Sequence, residues 1–304
     1  MLRHYKPTGN RQQMIITTMI RALRPKQWTK NALLFAALIF SLQFDNIDLW
    51  IRAILGFFCF SLISSTGYLY NDLKDREADA LHPKKHKRPI ASGALAPKIA
   101  WAELVVVMIV GFYGAWLLSP QFAGVALAYF VCTMSYTMFF KHHVIIDVMM
   151  ISVGFLWRAA AGAVVIDAPI SEWLLLCTGF LALFLGFNKR RGELSLLEDD
   201  AANCRKNLGQ YTTELLDQFQ GVTTSGTVIS YALYTVLGSP TPWLLLTLPH
   251  VLYGIFRYIY LVQVKGDGDA PDETLLRDIP ILLTCLLYVV SVIAILIIAP
   301  TNIS

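Results

Sequence analysis

The sequence predicts an all-α, polytopic membrane protein, a bundle of about nine transmembrane helices, and three observations predict it. The chain of 304 residues is 56% hydrophobic and only 15% charged, far from the balance of a soluble domain. Its apolar residues gather into nine stretches of roughly membrane-crossing length, at about 31–44, 50–73, 98–118, 120–140, 143–166, 171–188, 222–238, 241–262 and 279–299. Of the 25 Lys and Arg residues, all but Arg52 and Arg158 lie in or beside the N-terminus and the connections after the second, fourth, sixth and eighth stretches. By the positive-inside rule that side faces the cytoplasm, and the protein sits in the cell membrane with its N-terminus inside. The chain then divides into a cytoplasmic or interfacial segment over 1–30 and a single transmembrane domain over 31–304.

The N-terminal segment has no apolar core ahead of a small-residue cleavage site, so it does not read as a signal peptide. Arg21, Arg24, Lys26 and Lys30 with Trp28 suit a segment that anchors at anionic headgroups. The net charge is only +4, and neither a zinc-finger spacing nor an arginine-rich fold signature accompanies it, which argues against a nucleic-acid partner. Cys59, Cys132, Cys177, Cys204 and Cys285 are scattered and read as packing residues.

The second stretch ends in Asn71-Asp72-Leu73-Lys74-Asp75-Arg76-Glu77-Ala78-Asp79. Continued as one helix, this run places Asp72, Asp75 and Asp79 within a sector of roughly 60° and turns Glu77 away. Three carboxylates on one face repel one another unless a cation joins them, and membrane-proximal acids of this kind mark function. Ser61, Ser64, Ser65 and Tyr68 continue the same face into the membrane, either as a polar path or as small residues that admit a neighbouring helix.

A basic loop follows, from His82 to Gly93, broken by Pro83, Pro89 and Gly93. Lys84, Lys87 and Arg88 lie beside the acids, and cations next to a carboxylate-bound Mg²⁺ suit a diphosphate, although topology alone would also enrich them there. His82 and His86 flank Pro83 and do not form a regular metal-binding face. Tyr136 and Lys141 close the fourth stretch on the same side, and Asp147 opens the fifth. Asp147, Gly154, Arg158 and Ala161 share a face that should pack against protein; Arg158, deep in the membrane, marks either function, as a candidate substrate-binding residue, or an internal partner. After the sixth stretch, Asn188-Lys189-Arg190-Arg191-Gly192-Glu193 reads as a loop whose three cations set topology or bind phosphate.

The nine stretches, the Asn71-Asp72-x-x-Asp75-x-x-x-Asp79 motif and the Lys87-Arg88-Pro89-Ile90-Ala91-Ser92-Gly93 loop together resemble the UbiA superfamily of intramembrane prenyltransferases. The resemblance implies a helical bundle around a central cavity open to the cytoplasm, with the acidic motif holding Mg²⁺ on a substrate diphosphate. Members that use a prenyl diphosphate carry a second Asp-x-x-x-Asp motif after the sixth span. This chain has Lys189-Arg190-Arg191 there, and Glu198, Asp199 and Asp200 do not match that spacing.

The run Arg24-Pro25-Lys26-Gln27-Trp28-Thr29-Lys30-Asn31, the Lys141-His142 junction, Trp157-Arg158-Ala159 and Lys189-Arg190-Arg191-Gly192-Glu193 are similar instead to the decaprenyl-phosphate phosphoribosyltransferase subgroup. That similarity implies transfer of 5-phosphoribose from phosphoribosyl diphosphate to a polyprenyl phosphate drawn from the lipid bilayer. It also implies roles. Asp72, Asp75 and Asp79 hold Mg²⁺ with help from Asn71; Lys189, Arg190 and Arg191 meet the ribose 5-phosphate; Tyr136, Lys141, Lys84, Lys87 and Arg88 position the remaining phosphates. The rivals are prenyl transfer to an aromatic acceptor and a membrane transporter; a transporter would be expected to show paired interrupted helices.

Overall fold

The computed structural model describes residues 11–40, 45–81, 85–197, 208–266, 268, 274 and 276–299. Among them every regular element is helical. Helix α1 (Arg11–Ala22) leads into a 3₁₀ rod (Pro25–Phe35) that runs on as α2 (Ala36–Phe40). Then come α3 (Ile47–Lys74), the short α4 (Arg76–Leu81), α5 (Pro97–Leu118), α6 (Pro120–Met138), α7 (Ile146–Val165) and α8 (Glu172–Leu197). The last three are α9 (Thr213–Leu233), α10 (Leu248–Gln263) and α11 (Ile279–Ile298).

Among the described residues six helices are long and apolar enough to cross a membrane: α3, α5, α7, α8 over Glu172–Ser195, α10 with its 3₁₀ lead-in over Pro242–Gln263, and α11. The outer surface is apolar where a soluble protein would be polar. Val105, Val106, Ile109, Val110, Trp116 and Leu117 on α5 are exposed, as are Leu283, Leu286, Leu287, Val290 and Ile297 on α11. Faces of this kind, on helices of membrane-crossing length, suit lipid rather than water.

Two sequence expectations change. The first apolar stretch does not form a regular α-helical span from its start, because eleven residues of it and of the preceding basic segment wind as a 3₁₀ helix. At three residues per turn, positions three apart stack in line. Trp28, Asn31 and Leu34 therefore form one edge, and each meets a different partner on the bundle. Trp28 Nε1 donates to Ser65 Oγ at 3.0 Å, and Asn31 Nδ2 donates to the hydroxyls of Ser61 at 3.0 Å and Ser64 at 3.2 Å. The backbone at Leu34 lies against Gly162, where an added Cβ would come within 2.2 Å of the Leu34 carbonyl oxygen. The serine stripe of α3 is thus the docking surface for this rod. Gly162→Ala is expected to cost about 1–3 kcal/mol, because the obstruction is backbone and cannot rotate away; the melting temperature of purified protein reads it.

The second change concerns residues 188–193, expected as a loop. They continue α8, which runs to Leu197. Lys189 and Glu193 pair at i,i+4 and Arg190 and Glu193 at i,i+3, contacts that favour helix.

The core lies where the first rod, α3, α6 and α7 meet, around Leu34, Leu38, Phe60, Ile63, Phe122 and Ala161. The shared face expected on α7 is present: Asp147, Gly154, Arg158 and Ala161 are all buried.

Candidate active site

The acidic run is not one continuous helix. α3 ends at Lys74, Asp75 adopts φ −95° and ψ 9°, and α4 resumes at Arg76. The break preserves hydrogen bonding, since Asp75 N–H donates to the Asn71 carbonyl at 2.9 Å and Asp79 N–H to the Asp75 carbonyl at 2.8 Å. Asp72 and Asp79 are buried, Asp75 is partly open, and Glu77 points outward as expected. Asn71 is half-buried beside them.

The following loop folds back over this end of α3. Ile90 and Leu95 are buried against Leu69, Leu73 and Ala22, and Leu95 N–H donates to the Pro89 carbonyl at 2.8 Å. This tuck carries Arg88 back to the acids, where one nitrogen, Nη1, lies 3.0 Å from Asp72 Oδ1 and 2.5 Å from Asp79 Oδ2. Lys85 Nζ stands 3.9 Å from Asp79 Oδ1. Lys141, reaching from the α6–α7 junction, places Nζ 3.1 Å from both oxygens of Asp75. Lys87 is exposed on the loop surface, and Lys84 and His82 fall outside the described residues.

One member was missed in the sequence. Arg24, expected at lipid headgroups, donates from Nη2 to Asp72 Oδ1 at 2.5 Å, and its guanidinium lies over the Tyr68 ring at 5.3 Å from the centroid. The local signal was the residue before Pro25 in a helix-breaking position; its backbone is left-handed, with φ 54° and ψ 61°, which turns α1 into the 3₁₀ rod.

Among the described residues no three acidic, histidine or cysteine side chains close on one point as a metal cage. Each carboxylate instead faces a cation. The donor set nonetheless fits Mg²⁺, being oxygen-only and anionic, and Arg88 Nη1 already bridges two of the carboxylates as a cation would.

A second cluster lies at the start of α7. Asp147, fully buried, accepts from Arg190 Nε at 2.9 Å, and Arg190 Nη1 donates to Glu193 at 2.5 Å. Arg190 is thus committed to protein partners. Arg191 pairs with Asp217 on α9 at 2.5 Å. Lys189 is more open, 3.9 Å from Glu193, with Tyr136 and Lys30 within electrostatic reach. Glu198, Asp199 and Asp200 fall outside the described residues.

Tyr211 closes this cluster and had no signal in the sequence. Its hydroxyl accepts from Ile145 N–H at 2.7 Å and donates to Asp147 Oδ1 at 3.2 Å. Ile145 has φ 68° and ψ −51°, a strained turn for a β-branched residue, and it stands four residues after Lys141. Burial pushes the Tyr211 phenol up to about 12, so it stays a donor. Tyr211→Phe orphans the Ile145 N–H at a cost of about 1–3 kcal/mol and is expected to lower both melting temperature and turnover. Because the folded phenol titrates above its unfolded value, its stabilisation is present below pH 10 and is lost as pH rises toward 12. The melting difference between the two proteins should shrink over that range.

Arg158 belongs to a third group, about 16 Å deeper along α7 than Asp147. Nε donates to Asn31 Oδ1 at 2.8 Å, Nη1 to the Gly154 carbonyl at 3.0 Å and Nη2 to Tyr129 Oη at 2.9 Å. The guanidinium lies over the Tyr129 and Phe155 rings, 4.8 and 4.9 Å from their centroids. It ties the first rod to α6 and α7.

The profile described as the UbiA prenyltransferase family matches residues 32–276. The chain belongs to that family. It is therefore a multi-pass membrane protein of a transferase family. It is 33% identical over 285 residues to a decaprenyl-phosphate phosphoribosyltransferase of Mycobacterium tuberculosis, covering 91% of this chain and 94% of that one. It is 37% identical over 280 residues to the protein of that name in Corynebacterium glutamicum, covering 86% of this chain and 81% of the other. The fold matches a UbiA homolog from Archaeoglobus fulgidus bound to GPP and Mg²⁺, with TM-score 0.66 at 19% identity, covering 92% of this chain and all of that one.

Proposed function

We propose that this protein transfers 5-phosphoribose from phosphoribosyl diphosphate to a polyprenyl phosphate at the cytoplasmic face of the cell membrane, releasing diphosphate. The observation that carries the reading is the charge pattern: one acidic motif ringed by cations, with Lys189-Arg190-Arg191 where prenyl-diphosphate users carry a second acidic motif. A donor with a diphosphate at one end and a monophosphate at the other suits this pattern. The identities to curated phosphoribosyltransferases over most of the chain support it. The chain is read as one transmembrane domain over 31–304, with about nine helices crossing the membrane.

Asp72, Asp75 and Asp79 would hold Mg²⁺, with Asn71 supplying an amide hydrogen bond. Bound there, the ion would offset the charge that develops on departing diphosphate. Arg24, Arg88 and Lys141 stand around the same acids and can receive the diphosphate oxygens through charge-assisted hydrogen bonds. Lys84 and Lys87 extend that basic rim. Lys189 and Arg191, with Tyr136, are assigned to the ribose 5-phosphate, and Arg190 holds their helix in place. The lipid phosphate oxygen forms a bond to the anomeric carbon as the bond from that carbon to the diphosphate oxygen breaks. A phosphate is already anionic at neutral pH, so no general base is needed. Arg158 is assigned to holding the rod that follows Arg24.

The test incubates detergent-purified protein with Mg²⁺ and either radiolabelled phosphoribosyl diphosphate plus a polyprenyl phosphate, or radiolabelled prenyl diphosphate plus an aromatic acceptor. Label is expected in the lipid phase only in the first pair and only with Mg²⁺ present. Label moving only in the second pair would replace this reading with prenyl transfer.

A further inference from the structure

Two guanidinium groups share one carboxylate oxygen: Arg24 Nη2 and Arg88 Nη1 lie 2.5 and 3.0 Å from Asp72 Oδ1. Arg88 also takes Asp79, Lys85 stands near Asp79, and Lys141 takes Asp75. Four cations thus face three carboxylates, and the motif has no surplus of negative charge to attract a divalent ion. A metal ion approaching Asp72 meets two positive groups already seated on the oxygen it needs. A diphosphate changes that balance, because it brings several negative oxygens on which the arginines can settle instead.

The arginines are placed to make that move. Their side chains are about a quarter exposed, 25% for Arg24 and 24% for Arg88, whereas Asp72 and Asp79 are 3% and 5% exposed. The acids are fixed at the end of α3 and on α4. The cations arrive from two separate segments, one across the left-handed turn before Pro25 and one on the tucked loop.

We propose that Arg24 and Arg88 are exchangeable counter-ions: they hold the acidic motif together when it is empty and admit a divalent cation only in company with a diphosphate, onto which they transfer. This rests on reading Asp72, Asp75 and Asp79 as the cation ligands. Metal and anion then bind with positive coupling, each raising the affinity for the other by the same factor. Removing either arginine has opposite effects on the two partners. The metal alone binds more tightly and the diphosphate more weakly.

Equilibrium dialysis of Mn²⁺ against detergent-purified protein, with and without methylene diphosphonate and corrected for the complex in solution, tests this without any turnover. Wild-type protein should bind Mn²⁺ at least about tenfold more tightly with the anion than without it. Arg24→Gln and Arg88→Gln should bind Mn²⁺ alone about tenfold more tightly than wild type and lose most of the coupling, and Arg88→Lys should retain part of it. Size-exclusion profiles establish folding, and if Arg88→Gln fails there, Arg24→Gln decides. Mn²⁺ affinity in the folded Gln variants no higher than wild type, or no effect of the anion on wild type, would overturn the proposal. A protein that shows the coupling yet transfers no phosphoribose keeps this inference and loses the proposed substrate. One that transfers phosphoribose without the coupling loses this inference alone.

Discussion

Asp75→Asn is expected to lower turnover by about a thousandfold and to leave the fold intact. Asp75 occupies the break between α3 and α4, and its side chain is 30% exposed, against 3% for Asp72 and 5% for Asp79. It is the carboxylate by which an incoming cation would be met first. Asparagine has the same shape and still accepts a hydrogen bond from Lys141, so packing is kept while the charge is lost. Initial rates at saturating donor and lipid, read beside a melting curve, separate the two effects. A variant with near-normal turnover would remove Asp75 from the chemistry.

Arg190→Met is expected to show the largest loss of stability, about 3–5 kcal/mol, because it leaves Asp147 charged, buried and without its principal cation. The two side chains are 1% and 0% exposed. Adding Asp147→Leu should restore most of that loss, since a well-packed apolar pair replaces a buried ion pair with little net change. Denaturation of both variants in detergent measures the stability term. Activity should return with stability in the double variant if Arg190 only positions α8. A folded but inactive double variant, with a raised KM for the donor, would instead return Arg190 to the ribose phosphate.

The helical membrane fold and the acidic motif were legible because their signals are local: apolar runs of membrane length, and carboxylates spaced three and four apart. Helix periodicity alone turns Glu77 away from the three aspartates, and Glu77 is exposed. The cations were legible only in part. Arg88 follows the acids closely in sequence, but Arg24 precedes Asp72 by 48 positions and Lys141 follows Asp75 by 66, and no periodicity reports such a pairing. The 3₁₀ rod hid for a different reason. Its apolar content suits any buried helix, and only the three-residue spacing of Trp28, Asn31 and Leu34 distinguishes it. At residues 188–193 charge was read as loop, whereas pairing of Lys189 and Arg190 with Glu193 makes the same charges good helix. Arg158 was visible as an anomaly, and its partners Asn31 and Tyr129 came from other helices.

The most direct test of phosphoribosyl transfer uses phosphoribosyl diphosphate bearing a heavy oxygen isotope in the bridge between the anomeric carbon and the diphosphate. The purified protein is given this donor, Mg²⁺ and a polyprenyl phosphate, and both products are weighed by mass spectrometry. Attack of the lipid phosphate on the anomeric carbon predicts a lipid heavier by one unlabelled phosphoribose unit, with the isotope wholly in the released diphosphate. Isotope retained on the lipid, or diphosphate released with no phosphoribosylated lipid formed, would contradict it.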